Sequence, residues 1–299
     1  MIVMLLVAAL SAVAFAYAAY LLTAAARTAQ LRPKGEGVVL GAITNFFDTL
    51  GIGSFAPSIA WMRLRKIVPD RLIPMTMLAG YILPSLLQGI IFMALLGVRI
   101  DPWLILSCVI AMVIGGLFSP PLAARSPVRL IQAIVGVALL VAAFFYTLSN
   151  LGLMPAGGDA TSLPLGKAAI AVAAHFVFGL LLAFGVGNYA PTLALLSLMG
   201  MDPRLAFPIM ASAAGFSGAA AAARCMNLMK LDLRLALGLA LGAIPAVLVA
   251  AFLVKEMPLT TLRWLVVVVV SYAGITLLLA ASRRPDLVAE DAAEAAVTH

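Results

Sequence analysis

Apolar positions in this chain run in blocks of about twenty residues, and polar positions collect in the short gaps between them. That block length is what an α-helix needs to cross the hydrocarbon core of a bilayer. The short alternating segments of a membrane β-barrel do not occur. The blocks predict a first helix over 2–26, then spans at 72–97, 102–124 and 128–149, and three more at 205–226, 234–254 and 262–281. Two further apolar stretches are interrupted, 37–60 by Gly51, Gly53 and Pro57, and 167–199 by Gly185, Gly187 and Pro191. Basic residues flank 37–60 on both sides: Arg27, Arg32 and Lys34 before it, and Arg63, Arg65, Lys66 and Arg71 after it. Lys and Arg mark cytoplasmic loops. A stretch that begins and ends on one side is expected to be a re-entrant hairpin, with its irregular backbone shielded by protein or lining a wet cavity.

The two interrupted stretches are copies of one another. LGIGSFAPSIA at 50–60 aligns without gaps to FGVGNYAPTLA at 184–194, an offset of 134 that also brings Pro69 onto Pro203, Pro74 onto Pro208 and Arg129 onto Arg263. The chain therefore divides into an N-terminal helix and basic loop (1–36), a first repeat (37–149), an external linker (150–166), a second repeat (167–281) and a cytoplasmic tail (282–299). One hairpin plus three spans is an odd number of crossings, so the second repeat should be inverted. The charges agree, since only Lys167 and Arg204 flank the second hairpin. The expected fold is an all-α polytopic integral membrane protein with an inverted-topology repeat and one extra N-terminal helix. That is an architecture of secondary transporters, whose sites lie near the midplane where the halves meet. Residues 1–23 lack the basic leader of a signal peptide, so the first helix reads as retained, with the N-terminus outside and the C-terminus cytoplasmic.

Composition leaves this reading in place. The chain is 64% hydrophobic and 10% charged, with a mean hydropathy of +1.14. Its net charge of +7 follows from basic cytoplasmic loops, and no basic cluster is interleaved with aromatics as nucleic-acid binding would require. Cys108 and Cys225 have no ligand spacing around them, so neither a metal nor a disulfide is expected. Nucleotide-loop, dinucleotide and zinc-protease motifs are missing, so no cofactor is expected and the chain does not read as an enzyme. Gly238 and Gly242 form a small-xxx-small pair suited to helix packing.

The candidate chemistry sits at the breaks. Each break starts a new half-helix, whose free backbone N–H groups and dipole suit an anion. Glycine allows close approach of backbone to ligand, and proline is tolerated in a first helical turn. Asn45, Thr49, Gly51, Gly53, Ser54 and Ser58 at the first break, with Gly185, Gly187, Asn188, Tyr189 and Thr192 at the second, form the expected substrate site. The competing reading of each polar member is a packing residue bonded to a carbonyl one turn away. Asp48, just before the first break, is a candidate for proton coupling, with helix capping or hairpin packing as the alternative. His175 reads as structural, and Arg224 as a residue of the cytoplasmic rim that attracts anions or snorkels.

The stretch TNFFDTLGIGSFAP (44–57) and its echo FGVGNYAP (184–191) resemble the TauE/SafE sulfite-exporter family of membrane permeases. The resemblance covers the chain after the first helix. It implies two homologous halves and export of sulfite, a sulfonate or a related sulfur-containing anion across the bacterial cytoplasmic (inner) membrane. The breaks here read GIGS and GVGN, which leaves the anion open. The combined expectation is a secondary transporter working by alternating access, with a small anion, possible coupling protons and the lipid bilayer as its partners. The alternatives are a passive anion channel or a membrane assembly factor.

Overall fold

The computed structural model describes residues 2–51, 53–69, 72–96, 100–123, 128–153, 158–181, 188–228 and 231–282. Gly185, Gly187 and the tail from Arg283 lie outside them. The described residues form eleven α-helices and no strand: α1 (Ile2–Arg27), α2 (Gly35–Thr49), α3 (Phe55–Leu64), α4 (Ile73–Leu96), α5 (Pro102–Ala123), α6 (Val128–Asn150), α7 (Leu165–Leu181), α8 (Tyr189–Leu198), α9 (Ala206–Leu228), α10 (Leu233–Glu256) and α11 (Leu259–Ser282). Among them, five helices are long and apolar enough to cross a membrane. At 1.5 Å per residue, 21 to 26 residues reach about 32–39 Å, beyond the ~30 Å hydrocarbon core. The chain is a multi-pass helical membrane protein.

The blocks read from the sequence return as helices with ends shifted by a few residues. Shifting α3 by 134 lands on the bounds of α8, and α4, α5 and α6 land within about three residues of α9, α10 and α11. Between halves, like helices meet like. Gly89 lies against Ser212, Gly215 against Leu86 and Gly218 against Ile82, so α4 and its counterpart α9 run antiparallel. Gly136 of α6 and Gly274 of α11 lie against each other.

The short helices are exchanged. α2 packs chiefly on α10 of the second half, and α7 on α5 of the first. At α2–α10 the contact is glycine against backbone. A methyl at Gly41 would collide with the Leu239 carbonyl, and one at Gly242 with the Val38 carbonyl. The small-xxx-small pair Gly238 and Gly242 thus meets a second pair, Gly37 and Gly41, and backbones approach without side chains between them. Lys34 N–H donates to the Arg234 carbonyl (2.9 Å), and the Lys34 ammonium pairs with Asp232, which also caps α10 by accepting from Leu235 N–H (3.0 Å).

Both interrupted stretches fold back on themselves. Glu36 at the start of α2 accepts from Trp61 Nε1 (3.1 Å) and Arg65 Nε (3.0 Å) near the end of α3. Lys167 at the start of α7 donates to the Met199 carbonyl just beyond α8 (2.8 Å). In each hairpin a surface contact therefore closes the open end, and in the first the break lies at the tip. Helices of 15 and 10 residues reach only about 22 and 15 Å.

Candidate functional site

At the first break α2 ends at Thr49 and α3 begins at Phe55. The turn between them needs glycine: Gly51 has φ +97° and Gly53 has φ +90°, where an L side chain is strained. At Gly53 an added Cβ would meet nothing within 4 Å, so backbone conformation, not crowding, selects the glycine there. Gly51 faces the other half, with Leu193 of α8 and Val269 of α11 nearest to it. Pro57 and Pro191 both stand third in their helices, where the N–H that proline lacks would have had no helical acceptor.

Asp48 organises this break. One carboxylate oxygen accepts from Ser54 N–H (2.8 Å), and the other accepts from Gln88 Nε2 (3.1 Å). The side chain is 7% exposed, and no Lys, Arg or His pairs with it among the described residues. Because Ser54 immediately precedes α3, the carboxylate sits on the positive end of that helix. The helix terminus at the first break is therefore already occupied by a side chain of the protein itself. Capping and hairpin packing, the alternative roles for Asp48, are both visible in this geometry.

Gln88, fully buried on α4, joins the two halves. Its amide nitrogen donates to Asp48 and to Thr49 Oγ1 (3.0 Å), and its amide oxygen accepts from the Tyr189 hydroxyl at the first residue of α8 (2.6 Å). Asp48, Thr49, Ser54 and Tyr189 are thus one continuous set of hydrogen bonds. Seven residues earlier on the same face of α4, the Tyr81 hydroxyl lies 2.6 Å from Ser58 Oγ and 2.9 Å from Thr44 Oγ1. Its ring meets Phe55 edge-on at 6.2 Å. One face of α4 therefore supports the hairpin at two levels.

The other expected site residues divide. Thr49 and Ser58 hydroxyls each donate to a carbonyl four residues back, as does the Asn45 amide, which matches the packing alternative. Asn45 Oδ1 remains a buried acceptor without a donor among the described residues. Such atoms are rare in folded proteins, and this one stands one turn before Thr49. At the second break the Asn188 amide donates to the Met210 carbonyl (2.9 Å), and the Asn188 side chain does not cap α8. Thr192 turns to His175: its hydroxyl is 3.3 Å from Nε2, while Nδ1 is 2.7 Å from the Ala171 carbonyl. That carbonyl can only accept, so Nδ1 carries a hydrogen, and the Thr192 hydroxyl is the partner of Nε2. His175 links α7 to α8 within its own half, as the structural reading expects.

Sequence reasoning missed Gln88, Tyr81 and Thr44. Their signal was uncharged polar residues inside long apolar blocks, with Tyr81 and Gln88 at helical spacing. Among the described residues no group of three or more His, Cys, Asp or Glu gathers in a way that could hold a metal ion. In comparisons with known proteins, no family model, curated protein or solved structure matches this chain.

Proposed function

We propose that the chain is a secondary transporter that exports a small sulfur-containing anion, such as sulfite or a sulfonate, across a bacterial cytoplasmic membrane by alternating access. In this reading the two hairpins are re-entrant, the halves are inverted repeats, and the N-terminus lies outside. The antiparallel crossing of α4 with α9 supports the inversion, and the closed open ends of both hairpins support re-entry. The TauE/SafE resemblance of the two breaks is the basis for the sulfur anion.

The observation that carries the proposal is the hydrogen-bonded chain from Asp48 through Gln88 to Tyr189. It makes the tips of two hairpins from opposite halves one unit, so a movement of either half is felt at the other break. Among the described residues no side chain caps the α8 terminus, whereas the α3 terminus holds Asp48. A substrate anion therefore belongs at α8, with Tyr189 and Asn188 beside it. A carboxylate at membrane depth without a cation is costly to keep charged. Proton uptake by Asp48 would remove its repulsion of the substrate and loosen its hold on Ser54 N–H. Proton and anion binding are thereby coupled through one network.

The test is flux in proteoliposomes. Sulfite, sulfate, sulfoacetate, taurine and thiosulfate are offered with and without a pH gradient, beside thermal shifts of the purified protein with each. Gradient-dependent flux of at least one sulfur anion is expected. Flux that follows the anion gradient alone would replace the transporter with a channel, and no response to any of the five would remove the substrate assignment.

A further inference from the structure

The mouth of the α1–α10 contact combines a charged cavity with an apolar groove. The cavity, about 410 Å³, is lined by Ala29, Leu31 and Arg32 from the connection after α1 and by Arg234 from the first turn of α10. A groove of about 120 Å³ lies between α1, α4 and α10, with Ala18, Leu22, Leu83, Leu237, Leu241 and Ile244 in its walls. Arg234, Leu237, Leu241 and Ile244 recur at spacings of three, four and three, which places them on one stripe of α10. Arg234 is about 4.5 Å along the axis from Leu237, so the stripe that walls the groove begins at a residue lining the charged cavity. The groove runs along α1 and α10, two of the helices long and apolar enough to span, so acyl chains surround it.

We propose that this mouth is a binding site for an anionic phospholipid, with its phosphate between Arg32 and Arg234 and an acyl chain along the groove. No acidic side chain lines the cavity, and neither arginine has a carboxylate partner among the described residues. The nearby acid, Asp232, is taken by Lys34. The arginines are also held in place. Arg234 Nε donates to the Arg32 carbonyl (3.1 Å), and Gln30 accepts from Leu233 N–H (2.8 Å), so the two connections form one platform. Guanidinium is the side-chain group best matched to a phosphate, and basic pockets between membrane helices on the cytoplasmic side take anionic headgroups. Charge above an acyl-sized groove asks for both parts in one molecule. A lipid supplies them, whereas a free anion supplies only the head. A second copy of this chain would bring its own arginines to the same mouth.

Native mass spectrometry of the full-length protein in mild detergent, with equimolar phosphatidylglycerol and phosphatidylcholine, tests the site. Phosphatidylglycerol should be retained by roughly tenfold or more over phosphatidylcholine, a ratio in line with two surface guanidiniums. The double variant Arg32→Gln/Arg234→Gln should bring the ratio near one. Ala18→Trp, which fills the groove and leaves the arginines, should also lower retention. Equal retention of both lipids by the unaltered protein would overturn the proposal, as would a double variant that keeps the preference. An Ala18→Trp protein that binds as before would do the same. If inorganic phosphate raises the melting temperature as much as phosphatidylglycerol does, the site belongs to a free anion. A dimer that Ala18→Trp converts to monomer assigns the groove to a second copy and also overturns the lipid.

Discussion

The two hairpins, α2–α3 and α7–α8, share a backbone plan and differ in chemistry. Each has its two ends joined by a surface contact and is seated against a long helix of the opposite half. Yet Asp48 occupies the α3 terminus, while Asn188 leaves the α8 terminus without a side-chain cap. Ser58 is bonded to Tyr81 of a neighbouring long helix, while its counterpart Thr192 is bonded to His175 of its own hairpin. The two tips thus share a backbone plan and differ in their side chains. In the proposed function, one tip takes a proton and the other an anion.

The difference is tested most strongly at Asp48. Asp48→Asn keeps an acceptor for Ser54 N–H but cannot exchange a proton, so flux driven by a pH gradient in proteoliposomes should fall at least tenfold, a loss about equal to one factor of ten in rate. Asn offers one acceptor where Asp offers two, so its amide nitrogen faces Gln88 Nε2 and the melting temperature should also fall, by less than for the loss of Gln88 itself. Unchanged gradient-driven flux would end the proton-coupling role. The next effect is expected at the link between the tips. Gln88→Leu leaves an Asp48 oxygen and the Tyr189 hydroxyl buried without their partner, at a combined cost of about 3 kcal/mol. It should lower the melting temperature and uncouple the hairpins, whereas Gln88→Glu should restore only part of the network.

Much of this was legible beforehand, for a physical reason. Crossing a bilayer demands long apolar runs, so helices such as α4, α10 and α11 are written plainly in the order of residues. A tight turn at depth demands glycine at positive φ, so Gly51 and Gly53 announce the break. Asp48 stood out because charge is rare in apolar surroundings. Gln88 and Tyr81 did not, since an uncharged polar residue within an apolar block looks incidental until its partners are known. The pairing of α2 with α10 was half visible. Gly238 and Gly242 declared a close contact, but Gly37 and Gly41 were counted only as parts of the hairpin, and no single segment names its partner.

Smaller effects sharpen the comparison further. Gly53→Ala forces an L residue into the left-handed region at a cost of about 1–2 kcal/mol, with no steric term because the space around it is open. Melting of the purified protein measures that cost. His175→Leu removes the acceptor of Thr192 and should cost about 1 kcal/mol. It should leave the pH dependence of flux intact, in contrast to Asp48→Asn. If both variants altered gradient-driven flux equally, the chemical division between the tips would fail. The smallest effect belongs to the surface. Hydrogen bonds from Arg65 and then Trp61 hold the Glu36 carboxyl below its ordinary value of 4.5. A lowered carboxyl pKa contributes above the unfolded value and is lost as pH falls through the folded one. Glu36→Gln should therefore lower melting slightly at neutral pH, converge with the unaltered protein in acid, and so flatten the acid side of the stability profile.

The exchange of α2 onto α10 also sets a schedule for synthesis. Lys34 and its partner Asp232 are 198 residues apart in the chain. At about 5–20 residues per second, a ribosome needs roughly 10–40 s to make that interval. During that time the first hairpin has left the ribosome with its glycine face uncovered, because the helix that buries it has not yet been made. Insertion cannot finish one half at a time, and a nascent chain arrested before residue 233 should hold α2 where a protease or a chaperone can still reach it.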